Sequence, residues 1–116
     1  MQAGAMEIAT IDTICAGFPG AVRAAPSEGE IESWKVGGKM FACFAASRDG
    51  VTVKTASVEA AAFLIEIGIG RKARYFHRSW VLLPFSLEDE EELAHRLKTS
   101  YDLIVGKLTK AARAAL

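Results

Sequence analysis

The stretch Trp34-Lys35-Val36-Gly37-Gly38-Lys39-Met40-Phe41-Ala42-Cys43-Phe44 decides the fold. Two β-prone runs meet at Gly37-Gly38, a pair able to take the positive φ angles that a two-residue hairpin loop requires. Lysines flank the turn and aromatic residues stand behind it. Working outward, strands are predicted over 30–36 and 39–46. After the turn signal Ser47-Arg48-Asp49-Gly50, a third strand is predicted over 51–54. The three form a meander.

Register sorts the side chains of that meander. With Gly37-Gly38 as one loop, Val36 faces Lys39, Lys35 faces Met40 and Trp34 faces Phe41. With Asp49-Gly50 as the other, Arg48 faces Val51, Ala46 faces Val53 and Ala45 faces Lys54. Alternation then places Ile31, Met40, Ala42, Phe44, Ala46, Val51 and Val53 on a mainly apolar face expected to lie beneath helices. Trp34, Val36, Lys39, Phe41, Cys43, Thr52 and Lys54 fall on the opposite face, expected to be open. A slip of one residue exchanges the two faces.

On the N-terminal side, Ile8, Ile11, Cys15 and Phe18 recur at helical spacing and predict a helix over 6–16, stopped by Gly17 and Pro19-Gly20. Residues 22–29, mostly small or polar and broken by Pro26, read as a loop. On the C-terminal side, Ser57 caps a second helix to about Glu66, with Val58, Ala61, Ala62 and Ile65 inward. Tyr75-Phe76 suggests a short strand, 77–79 a turn, and Trp80 to Phe85 a further strand whose end carries Pro84. Ser86 and Asp89 resemble a capping box opening a long helix from Leu87 to Lys110. Leu93, Leu97, Tyr101, Ile104 and Leu108 run down one face of it, and an Ala-rich, basic tail of frayed helix follows. The expected whole is one α+β domain, an antiparallel sheet of about five strands with three helices packed on one face.

A chain of 116 residues, 51% hydrophobic and 24% charged, is large enough to bury a core without metals or disulfides. Lys plus Arg and Asp plus Glu number 14 each, so no global field draws the protein to nucleic acid or membrane. The charge is unevenly spread, however: residues 1–33 hold one basic and five acidic side chains, and residues 34–87 hold eight basic and three acidic. Cys15 and Cys43 are too few for a disulfide scaffold, so two buried free thiols in a reducing cytoplasm are expected. Glu7 and Asp12 interrupt any signal-like apolar run, no stretch reaches transmembrane length, and no membrane partner is expected.

Catalytic and metal patterns are weak. His77 and His95 stand outside any His-Cys cluster, no serine has a nucleophile-elbow context, and Gly68-Ile69-Gly70 follows a helix rather than a strand. The carboxylates Glu88 to Glu92 fan around a helix axis instead of converging on an ion, and helix-dipole compensation accounts for them. No cofactor and no enzymatic activity is expected. The basic-aromatic set remains: Trp34, Lys35, Lys39, Phe41, Lys54, Arg74, Arg78 and Trp80, with Arg48, Arg71 and Lys72 nearby. Basic hairpin tips can contact phosphates and sheet aromatics can stack bases. The same residues also read as ordinary core aromatics with lysines solvating strand ends.

The run Trp34-Lys35-Val36-Gly37-Gly38-Lys39-Met40-Phe41, the strand ending at Lys54, Arg78 and Trp80, and Ser100-Tyr101 together resemble the MmcQ/YjbR family of small bacterial proteins. The opening Cys15-Ala16-Gly17-Phe18-Pro19-Gly20 is similar to the family's start, and the resemblance spans roughly residues 8–108. It implies a frataxin-like (CyaY-like) α+β fold and a DNA-binding role through a double-wing motif, with Lys35, Lys39, Lys54 and Arg78 in the contact set. Where many members read Tyr-His-Met-Asn-Lys before the tryptophan, this chain has Arg74-Tyr75-Phe76-His77-Arg78-Ser79. The expectation is a non-enzymatic DNA-binding protein with mainly electrostatic contacts. The alternative is a protein-interaction or homodimerising module anchored by Trp34 and Phe41, with a small-molecule role third.

Overall fold

A computed structural model describes residues 7–116, and the first part of the helix expected over 6–16 (Met6) lies outside them. The elements are α1 (Ile8–Ala16), β1 (Ala21–Ala24), β2 (Ser33–Val36), β3 (Lys39–Phe44), β4 (Gly50–Lys54), α2 (Val58–Glu66), β5 (Arg71–Lys72), β6 (Trp80–Pro84), α3 (Glu90–Val105) and α4 (Lys110–Ala114). The strands form one antiparallel sheet in the order β1-β2-β3-β4-β6-β5. This is the expected α+β architecture with six strands instead of five.

Gly37 and Gly38 take φ of 58° and 80° and close β2 on β3 in the expected two-residue loop. Val36 pairs with Lys39 and Lys35 with Met40, but Trp34 pairs with Ala42, not Phe41. Phe41 is the extra residue of a β-bulge, and a bulge sets two consecutive residues of one strand against one of the other. Phe41 and Ala42 are both fully buried as a result, and Trp34 and Val36 join them in the core. The expected open face of Trp34, Val36 and Phe41 is therefore overturned by the one-residue slip. Ala42, Phe44, Val51 and Val53 do lie in the core as expected, whereas Ile31 is exposed and Met40 only half-buried.

The second hairpin differs in length. Phe44 pairs with Val51, Cys43 with Thr52 and Ala42 with Val53, so Ala45 to Asp49 form the loop and Gly50 opens β4. The left-handed position falls on Arg48 (φ 60°) instead of the Asp49-Gly50 pair. The pairing moves by four residues, an even number, so Val51 and Val53 keep their face.

The helices supply the cover. Ile11 and Cys15 of α1 are fully buried, and α3 lies chiefly across β3 and β4 with Leu93, Leu97, Tyr101 and Ile104 inward. Phe18, Phe41 and Tyr101 form an aromatic cluster with centroids 4.9–6.0 Å apart, and Tyr101 donates its hydroxyl to the Pro19 carbonyl at 2.6 Å. At the bulge, Ser100 Oγ donates to the Phe41 carbonyl (2.6 Å) and accepts from the Lys54 amide (2.9 Å). One hydroxyl thus serves a donor and an acceptor that the distorted ladder leaves without strand partners, as buried backbone groups require.

Four further expectations change. Residues 21–24 form edge strand β1, although 22–24 were expected to open the loop over 22–29. Tyr75-Phe76 is not a strand; Arg71-Lys72 pairs with β6 instead. The last helix is capped by Asp89, whose Oδ1 accepts from the Glu92 amide, because Phe85–Leu87 forms a 3₁₀ turn and Glu88 takes a left-handed φ of 52°. It ends at Val105, and Thr109 caps the separate short α4.

Candidate nucleic-acid interface

Trp34, the first of the sequence-derived candidates, is 7% exposed, and its indole Nε1–H donates to Asp12 Oδ1 at 2.8 Å. Asp12 also accepts from Arg23 Nε (2.9 Å), Arg23 reaches Glu32 (3.1 Å), and Arg48 pairs with the same Glu32. The Arg23 guanidinium lies 5.0 Å from the Phe44 ring centroid, which anchors edge strand β1 to the sheet. Burial pushes the Glu32 carboxyl up, but hydrogen bonds and charge from Arg48 and Arg23 outweigh it and hold it below the usual carboxylate range. Phe41 is 0% exposed. Neither Trp34 nor Phe41 offers a surface to a nucleic acid, a partner protein or a second copy, which corrects their assignment as anchors.

Of the two cations of the first hairpin, one is also engaged. Lys35 pairs with Glu30. Lys39 is exposed at a tip that is itself held down, since Leu108 lies directly against Gly37 and a β-carbon there would come within 2.7 Å of it. Two strands, β4 and β6, stand between this hairpin and β5.

The β5–β6 hairpin is built differently. Its base is fixed at Ser79, which is 4% exposed. The Lys54 ammonium donates to Ser79 Oγ (3.0 Å), the Thr55 amide donates to the Ser79 carbonyl (2.8 Å), and the Ser79 amide donates to His77 Nδ1 (3.1 Å). Burial and then the charge of Lys107 push the Lys54 ammonium below its ordinary pKa. Above that base the tip is open. Tyr75 takes a left-handed φ of 71° and is 100% exposed. Arg71, Lys72, Arg74 and Arg78 are exposed, and among the described residues none of them forms an ion pair. Phe76 and Trp80 are partly buried, with ring centroids 5.2 Å apart.

Beside this tip, a groove of about 300 Å³ runs between the hairpin and α2. Val58, Ala62 and Ile65 form one wall, Phe76 and Trp80 line it from the hairpin, and Lys72, Ala73 and Arg78 complete the lining. Val58, Ala62 and Ile65 were expected inward, yet Ala61 and Leu64 are the residues that α2 buries in the core. Of the sequence-derived set, the structure brings together Arg74, Arg78 and Trp80, with Lys54 beside Trp80 in the sheet register. It separates Lys35 and Lys39 from them. Tyr75, Phe76 and the α2 wall were missed. The signal for the wall was present: α2 is apolar nearly all round, more than one buried face consumes, and Phe63, Ile65 and Ile67 remain exposed.

Among the described residues no group of three His, Cys, Asp or Glu side chains is placed to hold a metal ion, and no helix is long and apolar enough to cross a membrane. Both thiols are free and buried; burial, reinforced by Asp12, pushes Cys15 up to about 12.

A Deinococcus radiodurans protein, DR2400, whose crystal structure is described as a DUF419 domain, shares the fold with a TM-score of 0.79 over 99% of this chain and 91% of that one, at 19% identity. No curated protein matches the chain. The YjbR family profile matches residues 16–103, which takes in everything from the end of α1 to the last turn of α3, and the chain belongs to the YjbR family.

Proposed function

We propose that the protein binds DNA, chiefly through its backbone phosphates, with the β5–β6 hairpin as the principal wing and Lys39 as a minor contact from the β2–β3 tip. The observation that carries this reading is the set of four exposed cations, Arg71, Lys72, Arg74 and Arg78, lacking acidic partners among the described residues on one short hairpin. In a chain of zero formal net charge, such a patch gives modest, salt-sensitive affinity with little sequence preference. The protein works by contact, not catalysis, in the cytoplasm; the two buried free thiols support a reducing compartment.

A labelled duplex titrated at several salt concentrations tests the proposal. Each neutralised phosphate contributes about −0.9 to the log–log salt slope, so four contacts give a slope of about −3.6. The Arg71→Ala/Lys72→Ala/Arg74→Ala/Arg78→Ala variant should lose that binding, and a Lys35→Ala/Arg48→Ala variant should keep it. Absence of duplex and single-strand binding at low salt overturns the reading, as does equal loss in both variants.

A further inference from the structure

A purely electrostatic wing needs no apolar groove, yet one lies directly beside the cations. Val58, Ala62 and Ile65, at spacings of four and three residues, present a second apolar stripe of α2 that the core does not use. Ile65 is 41% exposed. Opposite them, Trp80 and Phe76 stand with rings tilted by 43°, so their faces do not close on each other in a stack. Lys72 and Arg78 belong to the same lining, so whatever enters the groove meets positive charge. At about 300 Å³ the groove lies at the lower end of ligand-pocket sizes, suited to one planar ring and not to a helix or a strand.

We infer that this groove takes a single unstacked nucleobase of a DNA strand, held against Trp80, with Lys72 and Arg78 on the flanking phosphates. The inference rests on the proposed DNA binding and adds a preference that the cations alone do not supply. In a duplex the bases are stacked and paired, and extruding one has a cost. A single strand offers its bases freely, and aromatic stacking is tolerant of base identity. The ligand class is therefore single-stranded or locally unpaired DNA. Shape complementarity to A-form or B-form duplex plays no part.

Three probes at one fixed low salt concentration test this on the full chain: a dT single strand of twelve nucleotides, the same strand made abasic throughout, and a duplex of equal length. The base-bearing strand should bind about tenfold tighter than the abasic strand, the effect of one stacked base, and tighter than the duplex. Ala62→Phe fills the groove from an exposed helix position without altering a cation, and should lower base-bearing affinity to the abasic level. Equal affinity for base-bearing and abasic strands, with both lost in the four-cation variant, overturns the groove assignment and leaves the phosphate reading standing. No binding of any probe overturns both. The abasic comparison uses the unaltered protein, so the test does not depend on how Ala62→Phe folds.

Discussion

The β2–β3 and β5–β6 hairpins share a composition, aromatic residues interleaved with lysine and arginine, and put it to opposite uses. In β2–β3 the aromatics face inward: Trp34 and Phe41 are buried, Lys35 is paired with Glu30, and the glycine tip leans on Leu108. In β5–β6 only the base is fixed, at Ser79, while Tyr75 projects into solvent between unpaired cations and Trp80 lines a groove. Neighbours in space decide the difference. The first hairpin lies in the middle of the sheet beneath α1 and α3, and the second lies at its edge, where α2 covers only part of it.

The sharpest way to break this comparison is to truncate one aromatic in each hairpin and measure unfolding in urea. Phe41→Ala removes a fully buried ring from the Phe18–Tyr101 cluster and should cost about 3–5 kcal/mol. Tyr75→Ala removes a side chain that the fold leaves fully exposed, so stability should stay within about 0.5 kcal/mol. Comparable losses at the two positions would mean that the β5–β6 tip is structural as well.

A smaller effect tests whether the first tip is docked. Gly37 and Gly38 both take positive φ, but only at Gly37 would a β-carbon meet another side chain, that of Leu108. Gly38→Ala should cost about 1 kcal/mol through the left-handed backbone alone. Gly37→Ala should cost about 2 kcal/mol, the same strain plus displacement of Leu108. Equal costs would mean that the tip stands free as a wing, restoring Lys39 to the contact set on equal terms with Arg74 and Arg78.

The hairpins explain what the sequence disclosed and what it withheld. The Gly37-Gly38 loop, the Ser57 cap and the apolar stripes of α1 and α3 were legible because each depends on local backbone chemistry or helical period. The Phe41 bulge was not. It depends on Ser100, fifty-nine residues away, serving the Phe41 carbonyl and the Lys54 amide. Strand β1 was hidden for a similar reason, since Ala-Val-Arg-Ala has little β propensity of its own and is secured by Arg23 reaching Asp12 and Glu32. Of the residues that carried the family resemblance, Arg78 and Trp80 stand at the β5–β6 hairpin, whereas Trp34, Phe41, Ser100, Tyr101 and the Phe18-Pro19 opening are scaffold. Their chemistry therefore speaks to fold, and the basic-aromatic tip at Arg74 to Arg78, where the chain departs from that pattern, is where its own function has to be read.

The smallest effect separates paired cations from free ones by pH. Arg23 and Arg48 converge on Glu32, whose carboxyl is held below the ordinary value near 4.3. A carboxylate depressed in the folded state contributes stability that is present above its unfolded pKa and is lost as pH falls through the folded one. Urea stability should accordingly decline as pH drops below about 4.3, and Glu32→Gln should flatten that decline. The contribution should stay under about 1 kcal/mol, since Arg48 is more than half exposed and its half of the network is screened. Alanine at Arg71, Lys72, Arg74 and Arg78 should leave the acid slope unchanged, because no carboxylate among the described residues pairs with them. If that variant flattened the slope as much as Glu32→Gln does, the β5–β6 cations would have acidic partners in solution, and the charge that the proposed DNA contact requires would already be neutralised within the protein.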